Sequence, residues 1–319
     1  MRKGESIVTS SATRFLLLQV GLVTLFSCSS PYPEPIHPED NPFSIEKAEL
    51  GEKLFFDPRL SIDNTVSCAT CHVPERAFTD NLPLSNGVYG RKSLRNAPSL
   101  INVAYQPHFM FEGEIKTLEM QAVVPITDLN EMGYEKIGEL VQKLHSIDEY
   151  NELAKQVFDR EFDVWVLTRA LAAYERTLIV WNSPFDDYYF LGKELDKQAL
   201  KGYRIFDEQL HCTDCHPAPF FTSFEIKSNG SGNGRDGGRY RITADSTDFG
   251  KFKIPSLRNV TKTYPYMHDG SVQTIDEVLD YYAKGGSGNL NQSEEIKSFT
   301  LSDEEREALH AFFRSLETN

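Results

Sequence analysis

Two short stretches of this chain are suited to covalent chemistry on an iron porphyrin: CATCH at residues 68–72 and CTDCH at residues 212–216. In Cys-x-x-Cys-His, two thiols on one turn add to the two vinyl groups of the ring, and the adjoining histidine binds the iron from below. Cys68, Cys71 and His72 would hold one haem c in this way, and Cys212, Cys215 and His216 a second. Two other chemistries also use cysteine pairs. A zinc site joins pairs roughly 12–20 residues apart, whereas these stand in opposite halves of the chain. A thioredoxin-like redox pair needs a βαβ setting, and no alternating strand pattern flanks either copy. A histidine directly after both pairs would be coincidence under either alternative. A third possible ligand set lies in PYMHDG at 265–270, where Met267 and His268 adjoin in a turn bounded by proline and glycine.

Each haem motif needs helices to pack against its ring, and the sequence repeats such a frame. IEKAELGEKLFFDPRL precedes the first motif, with Leu50, Leu54 and Phe55 on one helical face. LDKQALKGYRIFDEQL precedes the second, with Leu200, Tyr203 and Phe206 similarly spaced. A Phe-Thr pair follows each motif, at 78–79 and 221–222. Each half then closes with an amphipathic helix, around 163–181 and at 301–318, the latter capped by Ser302 with Glu305. Period-3.6 apolar positions also run through 134–158, while the Gly- and Ser-rich SNGSGNGRDGG at 228–238 reads as a flexible loop. The expected fold is mainly α, with two cytochrome c-like haem domains in tandem over 43–190 and 191–319 and little strand.

The chain has 319 residues, enough for two domains, with ordinary apolar (40%) and charged (25%) fractions. A formal charge of −14 excludes the basic face of a nucleic-acid binder. Residues 1–28 read as an export signal: a weakly basic start, the apolar run FLLLQVGLVTLF, then Cys28 after a serine. LFSCSS resembles the lipobox of bacterial lipoproteins, which implies periplasmic location and a lipid anchor on Cys28. The alternative is a plain export signal with Cys28 a stray thiol. Pro-rich residues 29–42 read as a semi-rigid tether rather than a packed element.

Beyond the haem motifs, GEKLFFDPRLS, AFTD, RNAPSLINVAYQ, FEGEIKTLEMQAVVPITDLNEMG and IPSLRNVTKTYPYMHDGS resemble the bacterial dihaem cytochrome c peroxidases and the related MauG enzymes. The resemblance runs from about residue 43 to the C-terminus. It implies that the N-terminal haem reacts with peroxide and that the C-terminal haem passes electrons to it. Matching FWDGR…EEQ…P…EMG puts Gln121 and Glu131 at the polar positions of the peroxide pocket, with Pro125 between them. Cleaving an O–O bond heterolytically needs an acid for the leaving oxygen, and a carboxyl kept from water beside a haem has the raised pKa for it. The amide of Gln121 can hold the peroxide.

Three positions depart from many family members. Phe111 stands where a tryptophan lies between the two haems, and Val88 where a second histidine closes the peroxide-reacting iron. Valine cannot ligate, so haem 1 is expected to be five-coordinate and open without prior reduction. The third departure is the outer ligand of haem 2, a methionine fourteen residues past the histidine of the PY-x-HDG turn; here that residue is Tyr282. MauG-like members use tyrosine there. In TIDEVLDYYAKGG, Thr274 and Glu277 form a capping box and Gly285 ends the helix, so Ile275, Val278, Leu279 and Tyr282 face inward and Tyr281 outward. Met267 is the competing ligand. An anionic phenolate favours ferric iron, whereas methionine raises the potential. The resemblance also implies a calcium ion held by Asn96 and the carbonyls of Thr263 and Pro265, an all-oxygen set completed by water.

The resemblance implies a peroxidase that reduces hydrogen peroxide with electrons from a small exported cytochrome or cupredoxin, and it leaves room for a homodimer. A MauG-like oxidase of a partner protein's side chains is the alternative. A dihaem electron-transfer lipoprotein is the third, disfavoured because a pure carrier has no use for Gln121 and Glu131 in an open pocket.

Overall fold

The structure is a computed structural model that describes residues 1, 30–232, 234–289 and 291–318. The leader's apolar run and Cys28 lie outside the described residues. Among the described residues, the helices of eight residues or more are α1 (Ile45–Phe55), α2 (Ile137–His145), α3 (Asp148–Phe158), α4 (Val164–Glu175), α5 (Pro184–Leu191), α6 (Lys197–Arg204), α7 (Ile275–Ala283) and α8 (Asp303–Ser315). Extended pairing among the described residues is limited to β1 (Ile226–Lys227) against antiparallel β2 (Phe252–Lys253) and isolated bridges. The expectation of a mainly helical chain with little strand is met.

In each half the helix before the haem motif crosses the helix that closes the half, and a glycine marks the crossing. A Cβ on Gly51 of α1 would lie 1.9 Å from the Ala170 carbonyl oxygen and 2.8 Å from Tyr174 Cβ of α4. A Cβ on Gly202 of α6 would meet the Ala308 oxygen at 1.9 Å and Phe312 Cβ at 2.8 Å, on α8. Only a residue without a side chain lets backbones approach so closely. The residues around the crossings are the expected apolar faces. Leu50, Leu54 and Phe55 are buried in one core with Leu167, Ala170, Leu171 and Tyr174; Phe206 is buried in another with Phe221, Phe312 and Phe313. Burying a side chain the size of Phe55 or Phe312 contributes on the order of 1.5–3 kcal/mol. Contacts join both cores into one compact unit from Tyr32 onward, so the stretch expected as a tether packs on the body over 32–42: Tyr32 stacks on Trp181, and Asn41 is buried with hydrogen bonds to Glu119 and Arg169.

Capping was legible. Ser302 accepts from Glu305 N and Thr274 from Glu277 N, with both capping boxes complete. Other boundaries moved. The stretch 134–158 divides into α2 and α3, because Ser146 turns its hydroxyl back onto the Lys143 carbonyl and the chain restarts at Asp148. The helix expected around 163–181 ends at Glu175, since the backbone beyond it is drawn away: Leu178 O accepts from Asn102 N, and Val180 N donates to Asn102 Oδ1.

That last contact has a twin. Pro-Ser-Leu-x-Asn-Val occurs at 98–103 and again at 255–260. Asn259 N donates to Leu316 O, and Asn259 Oδ1 accepts from Thr318 N, just as Asn102 does with the chain after α4. Both asparagines adopt left-handed backbones, φ +58° and +56°, which asparagine tolerates well. The repeat ties the chain beyond each closing helix to a loop that reaches its haem histidine.

Candidate active site

Both haem motifs present their histidine in one ligand-ready state. His72 Nδ1 lies 3.0 Å from the Phe78 carbonyl oxygen, and His216 Nδ1 2.9 Å from that of Phe221. The first proline of each Pro-Ser-Leu-x-Asn-Val segment, Pro98 or Pro255, offers its carbonyl to the same ring. A carbonyl can only accept, so Nδ1 carries the proton and Nε2 keeps the lone pair that binds iron. Burial lowers the pKa of both rings and keeps them neutral. Burial also raises the four thiols, Cys71 to about 11 and Cys212 to about 12. Neutral thiols at two separated turns suit thioether formation. They do not make a tetrathiolate zinc site, and among the described residues no three His, Cys, Asp or Glu side chains cluster as metal ligands.

Glu131 sits on a turn tied by Asp128, whose carbonyl accepts from Glu131 N at 3.1 Å and Gly133 N at 2.9 Å. Val88 N donates to the Glu131 carbonyl at 3.0 Å, and the Val88 side chain is wholly buried against the first core. Burial, with a smaller contribution from the Asp128 charge, raises the Glu131 carboxyl to about 7. Gln121 ends a short helical turn, Leu118–Gln121, capped by Thr117. Between the two residues the chain folds back, so that Met132 N donates to Pro125 O at 3.2 Å. Gln121 Nε2 points to Met110 Sδ at 3.7 Å.

The Gln121 turn is anchored by a buried pair that sequence reasoning missed. Arg176 donates to both carboxylate oxygens of Glu119, at 2.6 and 3.1 Å, and Asn41 adds a third bond at 2.9 Å. Such a bidentate pair fixes direction as well as distance. No local spacing announces it, because its members come from three distant segments.

Phe111 is half-buried and meets Phe252 edge-on, with centroids 6.4 Å apart. Phe252 in turn stacks on His268 at 4.1 Å. The Arg95 guanidinium lies over both phenyl rings, at 5.5 and 5.2 Å, and pairs with Glu112 at 2.6 Å and with Asp236 at 2.7 Å. The described residues of the Gly-rich segment 228–238 form no helix or strand beyond the Gly238–Lys251 bridge, and Asp236 ties them to the first half while Asn229 ties them to α7.

Asn229 reaches both candidate ligands of the second haem. Its Nδ2 lies 3.1 Å from Tyr282 Oη and 3.4 Å from Met267 Sδ. Burial raises the Tyr282 phenol to about 12, with the Asn229 hydrogen bond opposing. The cysteines Cys212 and Cys215 also act on it electrostatically, so the phenol looks toward the second haem motif. Tyr281 does not face outward: it is half-buried and its hydroxyl donates to the Asn229 carbonyl at 2.9 Å. The helical face toward the Gly-rich loop is wide enough for two adjacent tyrosines.

Asn96 N donates to the His268 carbonyl at 3.0 Å and its Nδ2 to the Leu82 carbonyl at 2.8 Å. Asn81 Nδ2 holds the carbonyls of Lys262 and Tyr264, each at 2.8 Å, around Thr263 and before the cis Tyr264–Pro265 bond.

Residues 45–194 match the sequence profile of the di-haem cytochrome c peroxidases. The chain is 37% identical over 292 residues to the methylamine utilization protein MauG of Methylorubrum extorquens, covering 89% of this chain and 82% of that protein. It is 32% identical over 325 residues to the cytochrome-c peroxidase IdrP1 of a Pseudomonas species, covering 90% and 85%. Among solved structures, a MauG-like protein associated with microbial copper homeostasis superposes with a TM-score of 0.83 at 30% identity, covering 92% of this chain and 95% of that one.

Proposed function

Since the chain belongs to the di-haem cytochrome c peroxidase family, and so is an oxidoreductase of that type with two haems c, we propose that it reduces hydrogen peroxide to water. The reaction takes two electrons and two protons per peroxide. The observation that carries this reading is Glu131, a half-buried carboxyl on a turn tied to Val88, whose pKa is raised to about 7, at the position matching the family's peroxide pocket. The haems, when bound, supply redox-active iron: the first through His72 for peroxide, the second through His216 and Tyr282 for electrons. Glu131 accepts the proton of bound peroxide and returns it to the leaving oxygen. Gln121, held by the Glu119–Arg176 pair, orients the peroxide through its amide. Val88 cannot ligate, so no histidine from that position would compete with peroxide for the first haem. Residues 43–190 thus form the peroxide-reacting half and 191–319 the electron-receiving half, with Phe111, Phe252 and His268 between them.

Calcium belongs to the same reading. Leu82 engages the Asn96 amide nitrogen, which leaves the amide oxygen as the acceptor, and Asn81 fixes the turn that carries the Thr263 and Pro265 carbonyls. Oxygen donors of this kind, with water, suit calcium. The test is steady-state turnover with reduced cytochrome c and peroxide, repeated after chelation with EGTA. The expected result is turnover without prior reduction, diminished by chelation and restored by calcium. Absence of turnover under every condition sinks the peroxidase reading; turnover indifferent to EGTA sinks the calcium.

A MauG-like oxidation of a partner protein is the second reading, favoured by Val88, by Tyr282 and by the 37% identity to MauG. Phe111 weighs against it, because a phenyl ring is far harder to oxidise than an indole.

A further inference from the structure

The side chain that touches Gln121 is a thioether. Met110 Sδ lies 3.7 Å from Gln121 Nε2, within reach of the amide read as holding peroxide. Met110 is half-buried and occupies a tight turn at φ +64°, a left-handed backbone that side-chain-bearing residues seldom adopt. The turn is closed by Phe109 N donating to Ile115 O at 2.8 Å, and Phe109 is anchored in a small core with Val103, Leu118 and Ala172. Met110 is therefore held in place. The other thioethers have different settings: Met120 is 55% exposed, Met132 is 3% exposed, and Met267 faces Asn229.

We propose that Met110 is an oxygen-acceptor site of the first haem pocket, oxidised to methionine sulfoxide when peroxide arrives without an electron donor. The proposal rests on the reading of that pocket as the peroxide-reacting one. The step balances without a further reactant. The peroxide O–O bond breaks, one oxygen forms the S–O bond, and the other leaves as water with both peroxide protons. The sulfur loses the two electrons that the peroxide gains. A sulfoxide oxygen is a far stronger acceptor than a thioether, so the product competes with peroxide for the Gln121 N–H. The pocket then slows when its electron supply fails. Because methionine sulfoxide can be reduced enzymatically, the change is reversible.

Trypsin separates the relevant methionines, since residues 96–116 carry Met110 alone and residues 117–136 carry Met120 and Met132. The diferric holoprotein is treated with hydrogen peroxide, with and without reduced cytochrome c or cyanide, and both peptides are weighed over time. Peptide 96–116 should gain one oxygen roughly tenfold faster than peptide 117–136, through proximity to the reacting peroxide. That order is the reverse of what exposure dictates. Cytochrome or cyanide should abolish the preference, and Met110→Leu should retain turnover that a donor-free peroxide pulse takes from the unmodified protein. Oxidation of 117–136 first, or equal rates unaffected by cyanide, overturns the proposal. Donor-linked turnover on the same preparation separates the two ideas. Turnover with Met110 untouched removes this proposal alone, and no turnover with Met110 untouched removes the peroxidase reading with it.

Discussion

Replacing Glu131 with glutamine should slow the reaction of peroxide with the first haem by about 10²–10⁴-fold, the usual contribution of a general acid–base group. Both haem spectra should stay unchanged, because the substitution alters no cysteine or histidine of either attachment motif. The substitution keeps the shape of a side chain on a turn tied by Asp128 and Val88 and removes only its ability to move a proton. The pH dependence gives a sharper form of the test. Burial and the nearby Asp128 charge raise the carboxyl to about 7. Below that pH it is protonated and cannot accept the peroxide proton; above it the carboxylate can. The rate in the unmodified protein should rise with pH through about 7 and then level. Glu131→Gln should be slow and flat across the same range, as read by stopped-flow absorbance. A variant that keeps the rate, or the inflection, assigns the proton to another group.

The second large effect belongs to Tyr282. If Tyr282 binds the second haem as tyrosinate, as proposed, the ferric protein should lack the far-red band of methionine ligation, and its potential should be low because an anionic oxygen favours ferric iron. Burial holds the free phenol near 12, so iron must displace the proton, assisted by the Asn229 amide on the same oxygen. Tyr282→Phe removes that ligand and leaves Met267, whose sulfur lies beside the same Asn229 nitrogen. The variant should gain the methionine band, and the potential of its second haem should rise by a sizeable part of the roughly 0.8 V that axial ligands command. The methionine band in the unmodified protein would mean that Met267 is the ligand and Tyr282 a core aromatic.

The parts of this protein that rest on local spacing were legible in its sequence. Cys-x-x-Cys-His reads directly, and so do the Ser302 and Thr274 capping boxes, because cap and partner stand three residues apart. The inward turn of Tyr282 followed from helical periodicity, but the same rule sent Tyr281 outward. It failed because a loop fifty residues earlier supplies the Asn229 carbonyl to that hydroxyl. Arg95 with Glu112 and Asp236, and Arg176 with Glu119, were not legible for a similar reason: distant segments meet, and neither partner marks the other. The Pro-Ser-Leu-x-Asn-Val repeat was legible and went unread. Its two copies signal, in sequence alone, the carbonyls that orient His72 and His216.

The central claim is that the first haem meets peroxide directly in the oxidised protein, because Val88 offers no ligand and Glu131 is in place. It is tested by mixing peroxide alone with the as-isolated diferric holoprotein and following the high-spin absorption of that haem. The account predicts immediate, stoichiometric loss of that band with no reductant present. A first haem that is low-spin at rest and inert until the second is reduced would contradict it.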